Sequence, residues 1–206
     1  MKIFRATLIL LIAIVVAAPV KAQSTDQKRI SITANTGVAF PVAPFFFRQN
    51  WNVGPGLEAG IAYRTTPFNL IQLNASYHNF GFDSDGFRNF QNLPPGTSIS
   101  SSSAEIMTLV LNSIFEYNVE RTTATPYIKV GAGFFRFLPR DINYTTTDGS
   151  DTFESESETR LMLNGAFGLD YPLRGSLSLF VEAKFVNGIF VDRRTQNLPV
   201  SVGIRI

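Results

Sequence analysis

From residue 30 onward the apolar residues recur at every second position, in runs of roughly ten separated by stretches rich in Gly, Pro, Asn, Asp and Ser. Eight such runs can be followed, over 30–40, 52–63, 71–78, 107–117, 128–135, 160–171, 176–185 and 198–206. The first sets Ile30, Ile32, Ala34, Thr36, Val38 and Phe40 against Ser31, Thr33, Asn35, Gly37 and Ala39. The sixth sets Leu161, Leu163, Gly165, Phe167, Leu169 and Tyr171 against Arg160, Met162, Asn164, Ala166, Gly168 and Asp170. Side chains of a strand alternate between its two faces, so each run predicts one strand with one apolar side.

None of the positions on the apolar side of the eight runs is Asp, Glu, Lys, Arg or His. Alternation alone leaves two barrels open, a soluble one with this side inward and a membrane one with it outward. The opposite face decides between them. A soluble exterior carries about 25–35% charged residues, whereas here that face is mostly Gly, Ala, Ser, Asn and Thr. Small, hydrogen-bonding side chains suit the cramped lumen of an eight-stranded barrel. The predicted fold is therefore all-β, an eight-stranded antiparallel up-and-down transmembrane β-barrel.

Connections agree with this orientation. Strands one and two, three and four, five and six, and seven and eight are joined by long segments, including 81–104 and 138–158, while the links at 64–69, 118–125 and 172–175 are shorter. Outer-membrane barrels pair long extracellular loops with short periplasmic turns. Both termini then lie on the periplasmic side, where Tyr63, Tyr117 and Tyr171 end the even-numbered strands as one aromatic girdle. Phe40, Trp51 and the run Phe45, Phe46, Phe47 are expected to supply the other.

Residues 1–22 stand apart. Lys2 and Arg5 precede an uncharged run over 6–20, and Val20-Lys21-Ala22 offers a cleavage site, the layout of a secretory signal. The run is shorter than the ~18–20 apolar residues of a spanning helix. The expected organisation is a cleaved signal at 1–22, a short periplasmic segment at 23–28 and the barrel at 29–206. The 206 residues carry a formal charge of +2, yet three bases and no acid lie within the leader, so the remainder holds one more acid than base. A nucleic-acid partner loses its support. The absence of Cys excludes a disulfide scaffold, a thiolate metal site and a cysteine nucleophile.

On these residues the chain resembles the porin-like eight-stranded outer-membrane β-barrel domain of the OmpA, OmpX and OmpW kind, over roughly Arg29 to Ile206. Local echoes are Pro126-Tyr127-Ile128-Lys129-Val130-Gly131-Ala132-Gly133 and Asp170-Tyr171-Pro172-Leu173. The last strand ends in Ile206 where an aromatic residue is usual. The resemblance implies the outer membrane of a Gram-negative cell, contact with outer-membrane lipid and lipopolysaccharide, handling by the barrel-assembly machinery, a monomer and no cofactor.

The lumen is expected to hold Glu58, Glu116, Asp170 and Glu182 with Lys129, Arg160, Lys184 and Arg205. Unpaired charge there carries a heavy desolvation penalty, so the eight should form a plugging network, with Glu116 and Lys129 the first candidate pair. A narrow or gated pore is the alternative. Phe45, Phe46, Phe47, Phe135 and Phe137 could form an apolar mouth for small hydrophobic molecules, as in an OmpW-like porin. The loop over 138–158, with Asp141, Asp148, Asp151, Glu154, Glu156 and Glu158, fits a solvated acidic loop better than a cation site, since the order of an EF-hand is missing. The loop over 81–104 reads as flexible. Arg193 and Arg194 could clamp a lipopolysaccharide phosphate. A lipid A-modifying enzyme could draw on Ser76, His78 and Asp83 or Asp85, but there is no second histidine and no recognisable motif. No catalytic or metal-binding residue is assigned, and the expected protein is not an enzyme.

Overall fold

In the computed structural model, the described residues are 29–101, 103–117, 124–146, 149–189 and 195–206. The expected signal and the segment over 23–28 lie outside them, as do Arg193 and Arg194. Eight antiparallel strands close into a barrel: β1 (Ile30–Ala43), β2 (Gly54–Thr66), β3 (Asn69–Phe80), β5 (Ala104–Glu116), β6 (Thr125–Leu138), β9 (Glu158–Arg174), β10 (Leu177–Gly188) and β11 (Thr195–Arg205). Each pairs with its chain neighbour, and β1 also pairs with β11, the amides of Ile32 and Ile206 each donating to the other's carbonyl at 2.9 Å. The ring therefore has no free edge, the condition under which strands can cross hydrocarbon.

The apolar side of every strand faces out. Leu57, Leu161 and Phe167 are each 61% exposed, while Gln72, Asn112 and Glu116 on the other side are almost wholly buried. Lumen-facing polar groups and an apolar exterior are the inverse of a soluble protein, and they match the expected transmembrane barrel. Tyr63, Tyr117 and Tyr171 are exposed at the end that carries the termini.

The strands run further than the alternation suggested. Strand β2 continues past Tyr63 to Thr66, and β9 reaches Arg174. At the opposite end the connections fold into a cap: the segment over 81–104 carries a helix and a strand where a flexible loop is expected, while Asp141, Asp151, Glu154 and Glu156 of the acidic loop stay exposed. Between β1 and β2 lies the helix α1 (Phe45–Asn50); between β3 and β5 lie the helix α2 (Ser84–Phe90) and the strand β4 (Ser98–Ser100). Strands β7 (Ile142–Thr146) and β8 (Gly149–Phe153) form a hairpin that joins β4 in a three-stranded sheet. Apolar contacts hold the cap together beneath this acidic surface. Phe87 and Ile142 are fully buried, and Phe153 packs on both Phe46 and Phe87.

Asp83 caps α2 by accepting from the amides of Asp85 and Gly86 at 3.1 and 2.9 Å. At Gly86 the backbone of α2 lies against α1, because a Cβ there would sit 1.9 Å from the Gln49 carbonyl oxygen. Gly86→Ala must therefore part the two helices, at a cost of about 1–3 kcal/mol. We expect trypsin to cut the folded barrel faster after Arg88 in this variant, with the heat-modifiable gel shift of the barrel retained. Equal protection in both proteins would refute the close approach.

Candidate functional site: an occluded lumen under an aromatic lid

Two layers of ionised side chains cross the lumen. The layer nearer the termini joins Arg64, Glu116, Asp170 and Arg205. Glu116 accepts from Arg64 at 2.8 Å and from Arg205 at 2.9 Å, and Arg205 also reaches Asp170 at 2.5 Å. The second layer joins Glu58, Lys129, Glu182 and Lys184. Lys129 lies 2.6 Å from Glu182 and 4.0 Å from Glu58, while Lys184 lies 3.5 Å from Glu182 and pairs with Glu58. Each layer holds two acids and two bases, so neither leaves a net charge in a medium where one would be costly.

Tyr127 links the layers. Its hydroxyl donates to Glu182 at 2.9 Å, and the Arg205 guanidinium lies 5.6 Å from its ring centroid. Gly168 makes room for this ring, since a Cβ there would lie 2.2 Å from the Tyr127 Cζ. Neutral donors complete the second layer: Asn74 and Asn35 both donate to Glu58, the latter at 3.5 Å.

Seven of the eight expected lumen charges are in these layers, with two corrections. Glu116 and Lys129 do not pair, because Lys129 points to Glu182 on β10 and Glu58 on β2, while Glu116 takes two arginines. Arg160 sits higher, near the cap, where it pairs with Glu158 on its own strand face. Arg64 takes the remaining place. It was missed because the second run was ended at Tyr63, although Arg64 keeps the inward parity of Glu58, Gly60 and Ala62.

Above the second layer the lumen turns apolar. Phe47 of α1 enters the barrel end and packs on Phe80 and Phe137 at centroid distances of 5.1 and 5.5 Å. Ile106, Val110, Phe135, Met162 and Val186 complete this cluster. Phe46 and Phe137 pack against its edge, and Phe45 is 57% exposed. Four of the five phenylalanines expected at a mouth, Phe46, Phe47, Phe135 and Phe137, thus form a closed lid, with Phe45 outside it. Trp51 and Phe47 are 3% and 2% exposed and belong to the lid, not to a membrane girdle, whereas Phe40 faces out. Between lid and ions lies a cavity of about 10 Å³, room for about one water, lined by Ser76, His78, Thr108, Asn164, Lys184 and Asn197 among others.

The Ser76, His78 and Asp83 set is not assembled. Ser76 hydrogen-bonds Thr108 at 2.7 Å, and Asp83 is engaged in capping α2. In the acidic loop Asp141 accepts from the Ser155 amide and Asp151 from the Tyr144 hydroxyl, both at 2.9 Å. Among the described residues no three acidic or histidine side chains converge on a common point.

The architecture recurs in solved bacterial proteins. Neisserial surface protein A aligns at a TM-score of 0.56 and 12% identity, over 87% of this chain and 97% of that one. The outer membrane protein OprG from Pseudomonas aeruginosa aligns at a TM-score of 0.53 and 12% identity, over 87% and 97%. The fold is that of the eight-stranded outer-membrane barrels. No family model matches the chain, and no curated protein matches it. At this identity the likeness fixes the architecture and leaves the chemistry to the chain's own residues.

Glu116→Gln leaves two buried guanidinium groups facing one acid, and the barrel should lose about 3–5 kcal/mol. Arg160→Gln, at the partly exposed rim, should cost less than about 1 kcal/mol. Urea unfolding of the vesicle-inserted barrel, followed by loss of the heat-modifiable band, measures both. Equal midpoints for the two variants would sink the layered plug.

Proposed function

We propose that this chain is an integral protein of the outer membrane, a plugged, non-enzymatic barrel whose role is structural or lies in surface contacts made by its extracellular cap. Residues 1–22 serve as a cleaved export signal, 23–28 as a short periplasmic segment and 29–206 as the barrel. It acts as a monomer, surrounded by outer-membrane lipid and lipopolysaccharide after insertion by the barrel-assembly machinery. Arg193 and Arg194 add a lipopolysaccharide contact.

The observation that carries the proposal is the closure of the lumen: two charge-balanced layers and an aromatic lid enclose a cavity of about 10 Å³. Ions need a continuous wet path, and the paired charges and the aromatic cluster stand across it. Two features speak against lipid A chemistry. Ser76 is bonded to Thr108, and no carboxylate is hydrogen-bonded to His78 among the described residues.

A second proposal, passage of small hydrophobic molecules, draws on the lid itself. Phe46, Phe47, Phe135 and Phe137 supply apolar contact, but they must separate before anything can enter. Planar-bilayer recordings of the purified barrel separate plug from pore. We expect no steady single-channel current, and a reproducible open level would end the plug proposal. Uptake of an apolar dye into barrel-containing liposomes, faster in wild type than in a variant with the lid pinned by a disulfide, would favour passage instead.

A further inference from the structure

The outward rows of the barrel strands contain one basic residue among the described residues, Arg136 of β6. Every other Lys or Arg of these strands has the inward parity, including Arg64, Lys129, Arg160, Lys184 and Arg205. The row on which Arg136 sits reads Ile128, Val130, Ala132, Phe134, Arg136, all exposed, so the guanidinium comes one pleat above the lipid-facing Phe134. Register fixes its surroundings. Leu109, Phe134 and Leu161 lie side by side on β5, β6 and β9 and are about half exposed or more. One step toward the cap, Met107, Arg136 and Thr159 lie side by side in the same way.

Arg136 makes no ion pair among the described residues. The acid closest in register, Glu105, is taken by Arg140 at 3.5 Å. Elsewhere at this height the outward rows end in neutral Asn79, Asn187 and Gln196. A single uncompensated cation thus stands where an apolar belt gives way to polar groups, with an exposed hydroxyl from Thr159 on one flank and the Met107 thioether on the other.

From this arrangement we infer a lipid-phosphate site on the outer wall of the barrel at its cap end, in which Arg136 grips the phosphate and Thr159 donates a further hydrogen bond. The inference rests on the membrane-barrel proposal and adds a partner of stated chemistry. A planar guanidinium matches two phosphate oxygens at once. Phe134, Leu109 and Leu161 below it offer the apolar track along which the acyl chains of the same lipid run. A soluble anion would gain the first contact without the second, which is why the occupant is a lipid.

The full chain, folded in detergent, can be presented with dioleoyl phosphatidic acid, with dioleoyl phosphatidylcholine, or with phosphatidic acid and excess inorganic phosphate, and bound lipid counted by native mass spectrometry. Wild type should retain phosphatidic acid in preference to phosphatidylcholine. Arg136→Gln should lower that preference about fivefold, the scale of one surface cation acting on an anionic lipid, and Arg136→Lys should restore part of it. Unchanged retention in Arg136→Gln overturns the site, and so does complete displacement by inorganic phosphate, which would mark a simple anion site. A chain that gives no heat-modifiable band in detergent removes the barrel proposal and this one with it.

Discussion

Hydrocarbon offers no partner to a backbone amide, and this constraint organises the molecule. Strand β1 must find β11, 166 residues along the chain between Asn35 and Ser201, before any edge is closed. Once the ring is closed, alternation has only one consistent outcome. Across the apolar belt, side chains without charge face lipid, and the ionised ones of Glu58, Glu116, Lys129, Asp170, Glu182, Lys184 and Arg205 are turned into a space only a few side chains wide. The lumen's chemistry follows from that crowding.

Within that space, ions survive by being counted in both directions. The layer around Glu116 and the layer around Glu182 are each neutral; among the described residues Glu58, Glu116 and Glu182 are each held by two cations, while Asp170 is held by Arg205 alone. A buried pair of this kind stabilises little in net terms but makes a missing partner expensive. It therefore specifies which strands face one another across the barrel more than it strengthens the barrel. Lys129 of β6 meeting Glu58 of β2 and Glu182 of β10 ties together strands that share no backbone ladder.

Much of this was legible in the order of residues. Period-two alternation gave the eight strands, their orientation and seven of the charges in the two layers, because a strand's parity is a local property. Arg64 could have been found by carrying the parity of Glu58 and Ala62 two residues further. The pairing of Glu116 was not legible. Strands tilt and side chains reach across the lumen, so the nearest opposite charge in strand order need not be the nearest in space. The cap was missed for another reason. Acidic composition over 138–158 marks a surface that does stay exposed, while the aromatic contacts beneath it are spread over Phe46, Phe87, Tyr144 and Phe153, four residues from three separate connections.

That scattered origin has an outcome for recognition of the cap by another molecule. The surface above the lid is assembled from segments between β1 and β2, β3 and β5, and β6 and β9, and α1 and α2 touch so closely at Gly86 that neither can be repositioned alone. An immunoglobulin fitted to this summit would read a composite epitope that no linear peptide reproduces. A single residue exchanged in one connection can then hide the other two from it.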